Sequence, residues 1–148
     1  MILFFSETKF KSPQKKPVKS WLNAVVKHEG KKTGEINIVF YNDKQLLTLN
    51  KQFLNHDTFT DVITFDYSEG KVLHGDICIS IERVKENAKR FNCTFEEELR
   101  RVMAHGVLHL CGYKDKKSAD KQVMKQKEDV ALTLFNIQYS ILNTLYNH

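Results

Sequence analysis

The segment TFEEELRRVMAHGVLHLCG, residues 94–112, carries the clearest signals for the fold. Thr94 followed three residues later by Glu97 is a capping box, which marks the first turn of a helix. Apolar or small residues recur at helical spacing at Leu99, Val102, Met103, Gly106 and Leu110. Gly112 is placed to end the helix in a left-handed conformation. The segment therefore predicts a helix with one buried face.

Strands and helices alternate before this helix, and a further helix is expected after it. Strands are predicted at residues 2–5, 35–40, 61–67 and 76–80, where β-branched and apolar residues concentrate. Further helices are predicted after Pro17, after a cap at Asn42 or Asp43, after a cap at Ser80, and from near Ser118. This order predicts an α+β fold with a mixed sheet of about four strands and about five helices.

Glycines provide the expected turns. Gly30 and Gly34 punctuate the connection into the second strand, and Ser68–Gly75 is expected to join the last two strands as a hairpin-like link. The chain has 148 residues and shows no internal repeat or linker. One domain over residues 1–148 is therefore predicted.

The amino-acid composition indicates which class of protein to expect. Apolar residues make up 41% and charged residues 28% of the chain, as in ordinary globular proteins. No apolar stretch approaches the roughly 20 residues that span a bilayer, and the run Met1–Phe5 is too short for a signal-peptide core. A cytoplasmic protein with no membrane partner is expected. The three cysteines form no C-x-x-C pair, which favours reduced thiols over disulfides.

The residues that carry chemistry are His105, His109 and Asp115. Side chains four residues apart on a helix project in nearly the same direction, so the two imidazoles can bind one ion. Gly112 lets the chain turn, and the carboxylate of Asp115 follows three residues later. The spacing H-x-x-x-H-x-x-G-x-x-[HD] is typical of three-ligand zinc sites whose fourth position is open to water. One Zn²⁺ per chain and a hydrolytic reaction are predicted.

Metallopeptidases with this spacing place a glutamate directly after the first histidine as the general base. Here that position is Gly106, which cannot carry a proton. A metallopeptidase remains an alternative, although this glycine counts against it. The sequence assigns no catalytic acid or base.

Three motifs together resemble the YbeY family of bacterial zinc-dependent endoribonucleases. HGVLHLCGYKD (residues 105–115) resembles the family signature H-G-x-L-H-L-x-G-Y-D-H. LNKQF (49–53) with TDVITF (60–65), and GDICIS (75–80), resemble two further family motifs. The resemblance implies cleavage of single-stranded RNA during maturation of the 3′ end of small-subunit ribosomal RNA, and ribosome quality control. Ribosomal RNA and ribosomal particles are the implied partners.

The chain departs from this family pattern at three positions. Asp115 replaces the usual third histidine, which adds a negative charge and should make a bound water less acidic. Lys114 replaces the preceding aspartate, and Leu54 replaces an arginine that is a candidate for phosphate contact in the family. These departures keep open a second alternative, a non-catalytic ribosome assembly factor with a structural zinc.

Further site residues are expected on weaker grounds. Asp61 and Asp76 recur in the family motifs and either support the metal site and orient substrate or form turn hydrogen bonds at strand ends. His56, or a lysine from the basic clusters at residues 9–19 and 114–127, is a hypothetical replacement for the missing arginine. The chain has a net charge of +5, and the four-residue spacing of Lys117, Lys121 and Lys125 predicts a basic stripe that either contacts RNA or is simply solvated.

Overall fold

One mixed sheet forms the centre of the computed structural model, which describes residues 1–12 and 15–146, with side chains through residue 140. Its strands are β1 (Ile2–Ser6), β2 (Lys32–Tyr41), β3 (Val62–Asp66) and β4 (Val72–Ser80). They lie in the order β1-β2-β4-β3. β1 pairs with β2 and β2 with β4 in parallel, whereas β3 is antiparallel to β4. β3 is therefore an edge strand beside a buried central strand.

Helices cover both faces of the sheet. They are α1 (Lys15–His28), α2 (Asp43–Leu54), α3 (Ile81–Arg90), α4 (Phe95–Leu110) and α5 (Ser118–Tyr146). The main hydrophobic cluster joins β2 and β4 to α1, α3, α4 and α5. On the opposite face, Leu46 of α2 packs with Ile63 and Cys78 in a smaller cluster. The predicted α+β fold with a mixed four-stranded sheet and five helices is confirmed within the described ranges.

Local sequence signals explain the helix starts. Asn42 caps α2 with a complete capping box formed with Gln45. Ser80 and Thr94 accept hydrogen bonds from backbone N–H groups three residues ahead and so cap α3 and α4. Since these contacts are local in sequence, the predicted starts agree with the structure. α1 is an exception, because it begins at Lys15 and places Pro17 inside its first turn, where a missing N–H costs little.

Two glycines expected in turns instead lie within strands. β2 begins at Lys32 and contains Gly34, and β4 begins at Val72 and contains Gly75, so the predicted strand starts at 35 and 76 were wrong. A Cβ on Gly75 would lie 2.5 Å from the Phe65 carbonyl oxygen and 2.6 Å from Leu110 Cδ2. Glycine is required there by close packing between elements distant in sequence, and the local sequence does not report that packing.

Gly106 brings α4 against the sheet. A Cβ at this position would lie 2.6 Å from Cγ2 of Ile77 on β4, closer than real contacts allow. Gly106 and Gly75 thus leave room for the side chains of Ile77 and Leu110, so helix and sheet pack closely. This fixes the last two turns of α4, and with them His105 and His109, beside the edge strand β3.

α5 packs across the outside of α1 and α4. Its buried residues recur at helical spacing at Met124, Glu128, Ala131 and Phe135. The indole N–H of Trp21 on α1 donates to the Ala131 carbonyl oxygen at 2.7 Å, and the Trp21 and Phe135 rings meet edge to face. Within the described ranges, no helix is long and apolar enough to cross a membrane. The predicted domain limits of 1–148 stay a prediction and include residues 13, 14, 147 and 148, which lie outside the described residues.

Candidate metal centre

Three potential ligands converge at the C-terminal end of α4. The Nε2 atoms of His105 and His109 lie 2.9 Å apart, and His105 Nε2 lies 3.5 Å from Oδ2 of Asp115. Ligand atoms of all three residues fall within 4.8 Å of one another. The structure thus brings together the three residues that the spacing predicted as metal ligands.

The turn after α4 positions Asp115 and supports His109. Gly112 adopts φ 106°, a backbone conformation that favours glycine. The Tyr113 N–H donates to the Leu108 carbonyl oxygen at 3.1 Å, which folds the chain back over the helix end. The carbonyl oxygen of Tyr113 then lies 2.8 Å from His109 Nδ1. One turn therefore delivers the carboxylate and also holds the neighbouring imidazole.

The hydrogen bonds of the two histidine rings determine which nitrogen of each ring faces the point where the three candidate ligands converge. His109 Nδ1 faces the Tyr113 carbonyl, and His105 Nδ1 lies 2.6 Å from Oε2 of Glu128 on α5. Each acceptor requires a proton on Nδ1, so a neutral imidazole directs the lone pair of Nε2 inward. Two nitrogen lone pairs and a carboxylate oxygen then meet, and a cation is the group that satisfies all three.

The distances also suit a metal ion. Two nitrogens bound at about 2.0–2.1 Å in a tetrahedral arrangement lie about 3.3 Å apart. The Nε2 atoms at 2.9 Å and the His105–Asp115 separation of 3.5 Å bracket that value. Two imidazoles and one carboxylate form a ligand set that transition metals such as zinc accept.

The two histidines experience different electrostatic fields. Burial, and then repulsion from His105, lower the pKa of His109, which favours the neutral form that binds metal. Burial alone would lower the pKa of His105, but its hydrogen bond to Glu128 and the charges of Glu128 and Asp115 raise it. His105 is thus the more basic donor, because a carboxylate lies behind its ring.

A cleft of about 890 Å³ opens over these ligands. One wall is the edge strand β3 with the segment before it, and the other is the α4 end and the following turn. Its lining includes Asn50, Leu54, His56, Thr58, Thr60, Asp61, Thr64, Tyr113, Lys114 and Lys116 in addition to the three ligands. The cleft is open to solvent and carries polar side chains beside the candidate ligands, so it can admit an extended polyanion.

The two predicted supporting aspartates lie on different faces of the sheet. Asp61 lines the metal cleft, and Asn87 Nδ2 donates to its Oδ2 at 3.3 Å. Burial raises the pKa of Asp61, opposed by the nearby His105. Asp76 instead accepts from Asn37 Nδ2 at 3.0 Å on the face that carries α2. The prediction that Asp76 supports the metal was wrong, because side chains alternate along β4 and Gly75 and Ile77 face α4.

The predicted basic stripe lies outside the cleft lining. Lys117 precedes α5, and Lys121 and Lys125 lie on its first turns, all exposed to solvent. Their contact with RNA stays a prediction. Lys114 and Lys116, two members of the basic cluster that follows the metal motif, line the cleft on either side of Asp115. Their closeness to a predicted ligand was the signal that would have distinguished them within that cluster.

Two residues of the site went unpredicted. Glu128 contacts His105 from α5, 23 positions along the chain. Thr64 lines the cleft, and its buried hydroxyl oxygen has no hydrogen-bond partner in the described part of the chain. Glu128 belongs to no local motif, because it reaches His105 from another helix. Thr64 lies inside the TDVITF motif, but the motif does not show which side of the sheet its side chain faces.

The free energy of unfolding is expected to depend on pH because of Glu98. Burial, and then the nearby Asp61, raise the pKa of its carboxyl from 4.5 to about 7. Because the folded state holds this proton more tightly than the unfolded state, the free energy of unfolding falls as pH rises through that window. Glu98→Gln, which resembles the protonated form, is expected to stabilise the protein more at about pH 8 than at about pH 5.

Urea denaturation of wild type and Glu98→Gln at both pH values measures this difference. Glu96→Gln on the exposed face of the same helix is the matched control. An equal effect of Glu98→Gln at both pH values would contradict the assignment of a buried, protonated carboxyl.

Comparison with known proteins identifies a family whose model this chain matches. The model of the family described as Endoribonuclease YbeY matches residues 4–136. This span contains all five helix starts and the three proposed ligands.

Relatives and a solved structure agree over nearly the whole chain. A protein of Flavobacterium psychrophilum named Endoribonuclease YbeY is 54% identical over 93% of this chain and 99% of its own. One of Cytophaga hutchinsonii with the same name is 48% identical over 90% of this chain and 94% of its own. The solution structure of TM1509 from Thermotoga maritima superposes with a TM-score of 0.68 at 32% identity, covering 95% of this chain and 92% of that one. The chain therefore belongs to the YbeY endoribonuclease family.

Proposed function

We propose that this chain is a metal-dependent endoribonuclease that cuts single-stranded ribosomal RNA, with one zinc ion held by His105, His109 and Asp115. The observation that carries the proposal is the convergence of these three ligands on the wall of an open cleft. Relatives that match almost the entire chain are named endoribonucleases, which supports the same activity here. Ribosomal particles in the cytoplasm are the proposed setting.

The metal ion and the residues around it have different roles in the proposed reaction. When bound, the ion supplies Lewis acidity toward a phosphoryl oxygen or water. Glu128 and the Tyr113 carbonyl orient the two imidazoles, and Asp115 contributes negative charge that balances the cation.

Two lysines in the cleft, together with a bound cation, offset the carboxylates of Asp61, Asp66 and Asp115 and support a polyanionic substrate. Leu54, which replaces the arginine expected from the family motif, lines the cleft and is 41% exposed. His56, Lys114 and Lys116 line the same space, so side chains that can donate hydrogen bonds to phosphate come from a neighbouring loop and from the turn around Asp115. We propose that these residues contact the RNA backbone in place of the arginine.

Combined Lys114→Ala and Lys116→Ala substitution is expected to raise KM for an RNA fragment with little change in metal content. Each phosphate contact on a single strand contributes about 0.7 to the slope of log affinity against log salt concentration. The slope for the double variant should therefore be smaller in magnitude by about 1 to 1.5. Fluorescence titration at several salt concentrations measures it. A Lys85→Ala and Lys89→Ala variant of the exposed face of α3 is the control. An unchanged slope would contradict backbone contact by the cleft lysines.

The same titration tests whether the other candidate RNA-binding residues contribute to RNA affinity. Lys121→Ala with Lys125→Ala should reduce affinity less than the cleft pair, because those residues lie outside the cleft lining. His56→Ala should slow cleavage, and an unchanged rate would remove His56 from the site.

Metal content and RNA cleavage test the function itself. Wild-type protein is expected to retain about one zinc per chain and to cut precursor ribosomal RNA, and both properties should disappear in His105→Ala. Metal retention without metal-dependent cleavage would instead support a ribosome assembly factor with a structural ion.

Peptide hydrolysis is disfavoured by packing as well as by residue type. The position that carries a glutamate base in metallopeptidases is Gly106, whose missing Cβ faces Ile77 rather than the cleft. A side chain there would point into the core. A panel of peptide substrates is expected to remain uncut.

A further inference from the structure

Glu128 is a buried carboxylate on a helix that supplies none of the three metal ligands. The residue is 8% exposed and lies in the middle of α5. Its Oε2 is 2.6 Å from Nδ1 of His105, the shorter of the two contacts that hold the histidine rings. A buried charge of this kind requires partners, and the identity of those partners shows what it does.

The second oxygen of Glu128 is held by an arginine. Nη1 of Arg101 donates to Oε1 at 2.9 Å, and Nη2 donates to Oδ1 of Asp129 at 3.0 Å. The planar guanidinium thus bridges two consecutive carboxylates of α5, which limits rotation of the Glu128 side chain. Arg101 lies one helical turn before His105 on α4, so both ends of the arrangement are anchored to the same helix.

The consequence for His105 is a fixed tautomer. A carboxylate accepts but cannot donate, so the proton of the neutral ring stays on Nδ1 and the lone pair of Nε2 faces His109 and Asp115. Without this partner the proton of the neutral imidazole is free to occupy either nitrogen. One tautomer would then block the metal-binding atom.

We propose that Glu128, held by Arg101, is a positioning residue that sets the tautomer and orientation of His105 and thereby the metal affinity of the site. The inference rests on the proposed metal centre and extends it to α5. Packing of α5 on α4 thus becomes a requirement for metal retention, although the ligands lie on α4 and the turn after it.

The variants separate positioning from packing. Glu128→Leu keeps most of the side-chain volume but removes both oxygens, whereas Glu128→Gln retains an amide oxygen that can accept from Nδ1. Gln126→Leu is the matched control, since Gln126 lies on the exposed face of the same helix, outside the Arg101–Glu128–His105 arrangement. Competition with a chromophoric zinc chelator measures affinity, and urea denaturation verifies that each variant is folded.

Glu128→Leu is expected to weaken zinc affinity about 10- to 100-fold, the usual effect of removing a hydrogen-bond partner of a ligating histidine. Glu128→Gln should recover much of that loss, and Gln126→Leu should bind as wild type does. Unchanged affinity in a folded Glu128→Leu protein would overturn the proposal. A purely structural role would lower stability in both Glu128 variants without altering affinity.

A spectroscopic measurement on metal-free protein keeps this test separate from the proposed function. In alkaline buffer, ¹⁵N shifts of the wild-type His105 ring should show the proton on Nδ1, and the Leu variant should show a mixture of tautomers. A proton on Nε2 in wild type would overturn the inference. Absence of RNA cleavage would count against the proposed activity alone, because neither the affinity nor the shifts depend on it.

Discussion

His109→Ala is expected to lower zinc affinity by more than about 100-fold, beyond the usual effect of losing a ligand's hydrogen-bond partner. RNA cleavage should fall with it. The substitution removes one of two converging Nε2 donors and leaves only His105 and Asp115. Because the Nδ1 partner of His109 is a backbone carbonyl at the end of a helix, the variant leaves no buried charge unpaired and should fold.

Metal analysis and competition with a chelator measure the zinc affinity of His109→Ala, and His28→Ala is the control variant. His28 lies at the end of α1 with a side chain 52% exposed, so its removal should alter neither metal content nor cleavage. Equal zinc content in wild type and His109→Ala would show that His109 is not a ligand.

Trp21→Ala is expected to lower the free energy of unfolding by about 3–5 kcal/mol, as for other large aromatic residues in cores. Trp21 is fully buried, with 0% exposure, and packs edge to face on Phe135. The substitution also removes the indole donor from the Ala131 carbonyl oxygen. Both contacts join α1 to α5, so the change opens a cavity beneath the helix that carries Glu128.

Urea denaturation followed by circular dichroism tests this prediction. Phe91→Ala is the control, because Phe91 is 60% exposed and should cost within about 0.5 kcal/mol. Trp21→Phe, which keeps an aromatic ring but lacks the indole N–H, should fall between the two. A loss below about 1 kcal/mol for Trp21→Ala would contradict its place at the centre of the core.

The helix containing the histidines was predictable because its signals are local. Thr94 accepts from the Glu97 N–H at 3.1 Å, and Gly112 ends the turn with positive φ, as the sequence predicts. The distance between ligands four residues apart follows from helix geometry alone. His105, His109 and Asp115 therefore converge as expected from their spacing.

Strand limits and faces were less predictable. Gly34 and Gly75 resemble turn residues in sequence, yet both lie in strands where neighbouring side chains leave no space for a Cβ. Asp76 has the motif context of a metal-site residue but faces α2. Its side depends on the register of β4 between β2 and β3, which is a property of the whole sheet.

The sequence by itself determined the helix caps, the α+β order of elements and the convergence of His105, His109 and Asp115, because each depends on residues within a few turns of one another. Tertiary structure alone decided that Asp61 and not Asp76 shares the cleft, and that Glu128 reaches His105 from α5. These contacts join residues that only packing brings together: the burial of α4 between sheet and α5 selects them, and no local pattern encodes that burial.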